Sequence, residues 1–102
     1  STEDCMIILR TFLSKTKRIL KLAIELEKNK DINKTINSAK PPIFWKDKEI
    51  VKVQLNKWKT EKIKELIKNI NDVELEIKKN YNNSILIVTN FILEKSRSEI
   101  NN

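Results

Sequence analysis

The 102-residue chain has no glycine and no histidine, one cysteine and two prolines. Glycine is the usual residue for positive-φ turns, so a β-rich design and the glycine-rich loops that cradle nucleotide phosphates both lose their support. What remains is helices joined by short polar turns. With no histidine and a single thiol, Cys5, there is no pair for an internal disulfide, no metal-ligand set and no base for a hydrolytic nucleophile. The chain therefore reads as a non-enzyme with neither cofactor nor metal, and one unpaired thiol fits a reducing, cytoplasmic setting. Long apolar runs are missing too. The longest, Cys5 to Leu9 and Ile85 to Val88, fall far short of the ~20 residues needed to cross a bilayer, so the expectation is a chain with neither signal peptide nor membrane anchor.

What is present is apolar residues at 39%, charged residues at 34% and a net charge of +7, the balance of a single helical domain over residues 1–102 with polyanions among its conceivable partners. Lysine, asparagine and isoleucine dominate, as they do in any product of an AT-rich genome, so charge alone does not name a partner. Acidic pairs such as Asp72/Glu74 and Glu74/Glu76 stand two apart, on different sides of a helix, and read as solvated surface rather than as an acid and base.

The chain is organised around Lys40 to Trp58, which holds both prolines and both tryptophans. Pro41-Pro42 ends any helix arriving from the N-terminal side. Ile43, Phe44 and Trp45 come next, where a linker is normally polar, so the elbow reads as pinned into a core by Phe44 and Trp45, with Trp58 on the apolar stripe beyond it.

Before the elbow, apolar residues recur at steps of three and four from Cys5 to Leu26, predicting an amphipathic helix from about Glu3 to Lys30 capped by Thr2. Its apolar stripe is wide enough for more than one neighbour. Asp31 can cap a short second helix to Ala39, with Ile32 and Ile36 inward. A third is predicted from Lys46–Lys48 to Lys57, burying Ile50, Val51, Gln54 or Leu55, and Trp58. Thr60 can cap a fourth, in which Ile63, Leu66, Ile70, Val73 and Ile77 form a near-heptad seam. After the polar turn 80–83, Ser84 can cap a fifth helix from Ile85 to about Ser96, with a fraying tail from Arg97. Its β-branched run imitates a strand. Apolar residues on both faces, Leu86, Thr89/Asn90 and Leu93 opposite Ile85, Val88 and Ile92, argue instead for a helix packed centrally or at an interface. The fold class is all-α, a five-helix bundle.

Two clusters could touch nucleic acid. Lys46, Lys48, Lys52 and Lys57 form a basic stretch diluted by Asp47 and Glu49. Tyr81, an isolated aromatic beside Lys78 and Lys79, has the ingredients for stacking on an unpaired base, or else covers the end of a helix pair.

The block Lys40-Pro41-Pro42-Ile43-Phe44-Trp45-Lys46, then Gln54-Leu55 and Trp58, then Val73-Glu74-Leu75-Glu76-Ile77-Lys78, resembles the C-terminal region of the delta subunit of bacterial DNA polymerase III, a clamp-loader subunit. Ile8-Leu9-Arg10 with Phe12 is similar to the start of the same region. The resemblance implies a helical collar domain, the C-terminal part of a longer delta subunit, that packs against the collars of other loader subunits so the complex can load the sliding clamp on primed DNA. The parts that bind the clamp have no counterpart here. It further implies that Tyr81, with Lys78 and Lys79 on phosphates, touches the single-stranded template. The alternative is a free-standing basic helical nucleic-acid-binding module centred on Lys46, Lys48, Lys52 and Lys57.

Overall fold

The computed structural model describes residues 1–101, apart from the side chains of Tyr81 and of 98–101. Among them are five α-helices and no strand: α1 (Thr2–Asn29), α2 (Ile32–Asn37), α3 (Lys48–Lys57), α4 (Thr60–Lys79) and α5 (Ser84–Asn101). Single 3-10 turns at Trp45–Asp47 and Tyr81–Asn83 lead into α3 and α5. The chain is all-α. Cα proximity divides it into two compact units, unit 1 from residues 1–13 and 68–102 and unit 2 from residues 14–67.

Several helix ends differ from expectation by the chemistry of their caps. Ser1 rather than Thr2 caps α1: its hydroxyl accepts from the Asp4 amide at 3.3 Å and donates to the Asp4 carboxylate at 2.9 Å. That hydroxyl hydrogen bond, with the terminal ammonium nearby, holds the Asp4 carboxyl below its usual range. At the other end Lys30 adopts φ 58°, the only positive φ among the described residues, and its amide donates to the Leu26 carbonyl at 2.7 Å. A lysine thus takes the left-handed position that glycine normally fills after a helix. Asp31 caps α2 as expected, accepting from the Lys34 amide at 3.1 Å. Thr60 and Ser84 are the first residues of their helices, and their buried hydroxyls turn inward: Thr60 donates to Glu27 Oε1 at 2.5 Å, and Ser84 Oγ lies 3.3 Å from Thr2 Oγ1. Nothing after Arg97 breaks a helix, so α5 continues to Asn101 instead of ending near Ser96.

Unit 2 is built on Leu22 and Ala23 of α1, Ile36 of α2, Ile43, Leu55 of α3 and Ile63 of α4, with Val51, Trp58 and Ile67 packed around them. Thr35 is buried beside them, its hydroxyl 3.1 Å from Asn29 Oδ1 and 2.9 Å from the Asp31 carbonyl, so the junction of α1 and α2 is closed by side chains.

The elbow departs from expectation. Ile43 is buried, but Phe44 and Trp45 are 57% and 69% exposed, and Pro41 and Pro42 lie at the surface. Backbone geometry accounts for this. Phe44 is extended (φ −57°, ψ 132°), so its side chain leaves on the side opposite Ile43. The 3-10 turn then begins at Trp45, closed by the Asp47 amide on the Phe44 carbonyl at 2.8 Å. Only one of three consecutive large residues can fill the inward site, and Ile43 does. The Lys40–Pro41 peptide is cis, and Arg18 of α1 donates to the Pro41 carbonyl. The elbow is therefore fixed by Ile43, by this bond and by Trp58. On α3, Ile50 is 58% exposed, against expectation, because Leu55 and the half-buried Val51 and Trp58 define the inward face about a third of a turn away.

Unit 1 buries Cys5, Met6 and Leu9 of α1, Ile70 and Ile77 of α4, and Val88 and Phe91 of α5. Phe12 and Phe91 meet edge to face, ring centroids 6.2 Å apart. The seam expected on α4 is present: Ile63, Ile70 and Ile77 are its most deeply buried residues, and Leu66 and Val73 are half-buried.

Candidate functional site

Two surfaces carry side chains whose exposure packing does not explain, one on each unit.

On unit 1 the inward residues of α5 are Ser84, Val88 and Phe91. Helical periodicity places Ile85, Leu86, Thr89, Ile92 and Leu93 on one outward face, and the four aliphatic side chains among them are 62%, 60%, 44% and 57% exposed in chain order. The two-faced helix expected from sequence exists with its faces assigned differently. Ile85 and Ile92 stand with Leu86 and Leu93, and Val88 points the other way. The first turns of α1 repeat the feature: Cys5, Met6 and Leu9 are buried while Ile7 and Ile8 are exposed. Surface helices of self-contained domains normally carry polar residues on the face away from the core. A helix apolar on two faces has surface left to cover.

On unit 2, the exposed Phe44 and Trp45 rings lie 5.9 Å apart, inclined at 52°, and Lys46 Nζ stands 5.4 Å from the centroid of Trp45. The basic stretch beside them is not one surface. Lys48 and Lys52 share a side of α3 and are half-buried, Lys48 donating to Asn37 Oδ1 at 3.1 Å, whereas Lys57 lies roughly 140° round the helix from Lys52.

Of the three residues expected to meet a template strand, the Tyr81 side chain lies outside the described residues. Lys79 is exposed, and Lys78 Nζ pairs with Glu74 Oε1 at 3.5 Å. Trp58 packs against the unit 2 core, as expected. Sequence reasoning missed the exposed aromatic pair. An extended segment after the diproline, which sends successive side chains to opposite sides, is the signal that could have found Phe44, whereas Trp45 is turned outward where the 3-10 turn begins, which no sequence signal marks.

Among the described residues, no three His, Cys, Asp or Glu side chains gather as a metal site, and no helix is long and apolar enough to cross a membrane. No protein-family model, curated protein or solved structure matches the chain.

Proposed function

We propose that this chain is a non-catalytic assembly module of the clamp-loader collar type, from the delta subunit of bacterial DNA polymerase III, acting in the cytoplasm during DNA replication. Its outward α5 face and the exposed start of α1 pack against the collar helices of neighbouring loader subunits. The observation that supports this reading best is the second apolar face of α5, Ile85, Leu86, Ile92 and Leu93. Burying such a face against a partner helix removes apolar area from water at about 25 cal/mol per Å², a gain the chain alone does not collect. The diproline-aromatic block that resembles the delta family adds its weight. In such an assembly Tyr81, Lys78 and Lys79 are the residues offered to template DNA, and the sliding clamp is met by other parts of the parent subunit.

The test is co-purification and size-exclusion chromatography with the collar domains of the remaining loader subunits. The unaltered chain should co-elute with at least one of them. Leu86→Asp combined with Leu93→Asp should weaken that association by about 100-fold or more, because each carboxylate would be buried without a partner. Both positions are exposed in the isolated chain, so its helical circular dichroism should be unchanged. A folded chain that joins no loader collar ends this reading.

A further inference from the structure

The net charge of +7 is not spread over the molecule. Residues 14–67 carry 15 Lys and Arg against 7 Asp and Glu, a net of +8, while residues 1–13 and 68–102 carry 6 against 7, a net of −1. All of the surplus positive charge belongs to unit 2. Some of it is neutralised locally, Lys62 by Glu65 and Lys64 by Glu61 on α4. Around the elbow, Lys40, Lys46, Lys48 and Lys52 still outnumber Asp47 and Glu49. The same segment carries the most exposed large apolar side chain among the described residues, Trp45, with Phe44 beside it.

We propose that Phe44 and Trp45 form a stacking platform for single-stranded nucleic acid, a site separate from the assembly faces of unit 1, with Lys46 and Lys40 taking the adjoining phosphates. A base offers a flat π-face that stacks on an aromatic ring whatever its identity, and a phosphate lies within a lysine's reach of each stacked base. Lys46 is already held beside the Trp45 ring, where its ammonium meets the ring and a strand crossing it together. In a duplex the base faces are covered by their neighbours, so the platform selects unpaired strands. A protein helix is the weaker candidate, because the group that stands over the Trp45 ring is the Lys46 ammonium, and charge is depleted from the centre of protein interfaces.

The probe is a fluorescein-labelled thymidine homo-oligonucleotide titrated with the 102-residue chain and followed by anisotropy. The unaltered chain should bind, with log K falling against log salt at a slope of about −1.4 to −2.1, as expected for two or three phosphate contacts. Trp45→Ala should weaken binding about tenfold and Phe44→Ala somewhat less, the range seen when a stacking aromatic is removed. Lys46→Ala should flatten the salt slope by about 0.7. Because the aromatic side chains are exposed, thermal melts of these variants should match the parent and exclude misfolding as the cause. The proposal is overturned if the oligonucleotide does not bind at low salt, if Trp45→Ala binds as well as the parent, if duplex competes as well as single strand, or if Lys78→Glu with Lys79→Glu removes the binding that Trp45→Ala leaves intact. Leu86→Asp with Leu93→Asp should leave this titration unchanged, so the assembly reading and the strand site fail separately.

Discussion

Unit 1 and unit 2 share two helices, since α1 and α4 each contribute to both, yet they present opposite surfaces. Unit 1 is close to neutral and exposes aliphatic side chains, Ile7, Ile8, Leu75, Ile85, Leu86, Ile92 and Leu93. Unit 2 is strongly basic and exposes two neighbouring aromatics together with Ile50 and Val53 on α3. Aliphatic side chains recognise little beyond shape and dryness, which is what a neighbouring helix offers. An aromatic pair beside cations recognises flat, anionic ligands. On the two proposals made above, one small helical chain divides assembly and ligand contact without a boundary visible in its sequence, because the difference between the units is one of surface chemistry and not a break in the helices.

The largest expected effect tests whether the two units share a core element as they share helices. Ile63 lies in unit 2 and Ile77 in unit 1, both on the α4 seam and 2% and 0% exposed. Ile63→Ala and Ile77→Ala should each cost about 3 kcal/mol in urea denaturation, the usual size for truncating a fully buried isoleucine. Because α1 and α4 run through both units, either truncation should lower a single transition. Two separate transitions, each answering to one variant, would make the units independent folding bodies.

That seam is also where the sequence was most legible. Repetition of isoleucine at 63, 70 and 77 leaves little choice of inward face, and the Asp31 cap and the inward Trp58 just after α3 are equally plain, whereas on α3 itself the pattern leaves Gln54 or Leu55 open and points to Ile50, which is exposed. Legibility failed where several large residues competed for one site. Ile43, Phe44 and Trp45 are all apolar enough to be buried, and the choice among them is made by the extended backbone after the diproline and by the room beside Leu22 and Ile63, a tertiary property. On α5 the helix itself could be read but its faces could not, because a stretch apolar all round has no periodic minimum to mark the outside. The exposed strand platform was hidden for the same reason as the elbow error: both depend on which way Phe44 and Trp45 point.

A smaller effect concerns the join between α1 and α2 in unit 2. Lys30 holds φ 58° in a chain that has no glycine, and a side chain there crowds the neighbouring carbonyl. Lys30→Gly should raise stability by about 0.5 kcal/mol, relief of that crowding slightly exceeding the extra freedom given to the unfolded chain. It also removes one positive charge that is not part of the proposed platform, so oligonucleotide affinity should change by less than about twofold. A larger fall would mean that the strand is drawn by the diffuse charge of unit 2 and not by the platform.

The smallest effect lies on unit 1, where the lysines are few and Lys78 is engaged. Glu74 precedes Lys78 by one turn near the end of α4, the order that suits both the pair and the helix dipole. The lysine is 59% exposed, so solvent screens most of the attraction. Lys78→Ala should therefore cost no more than about 0.5 kcal/mol in low salt, alanine's helix propensity offsetting part of the lost pair, and the difference should shrink as salt rises. Because Lys78 is offered to template DNA only within the loader assembly, the same variant should lower the oligonucleotide affinity of the isolated chain by less than about twofold. Should Lys78→Ala weaken oligonucleotide binding as much as Lys46→Ala does, the division of labour between a neutral, aliphatic unit and a basic, aromatic one is wrong, and the polar turn after α4 takes over as the strand contact.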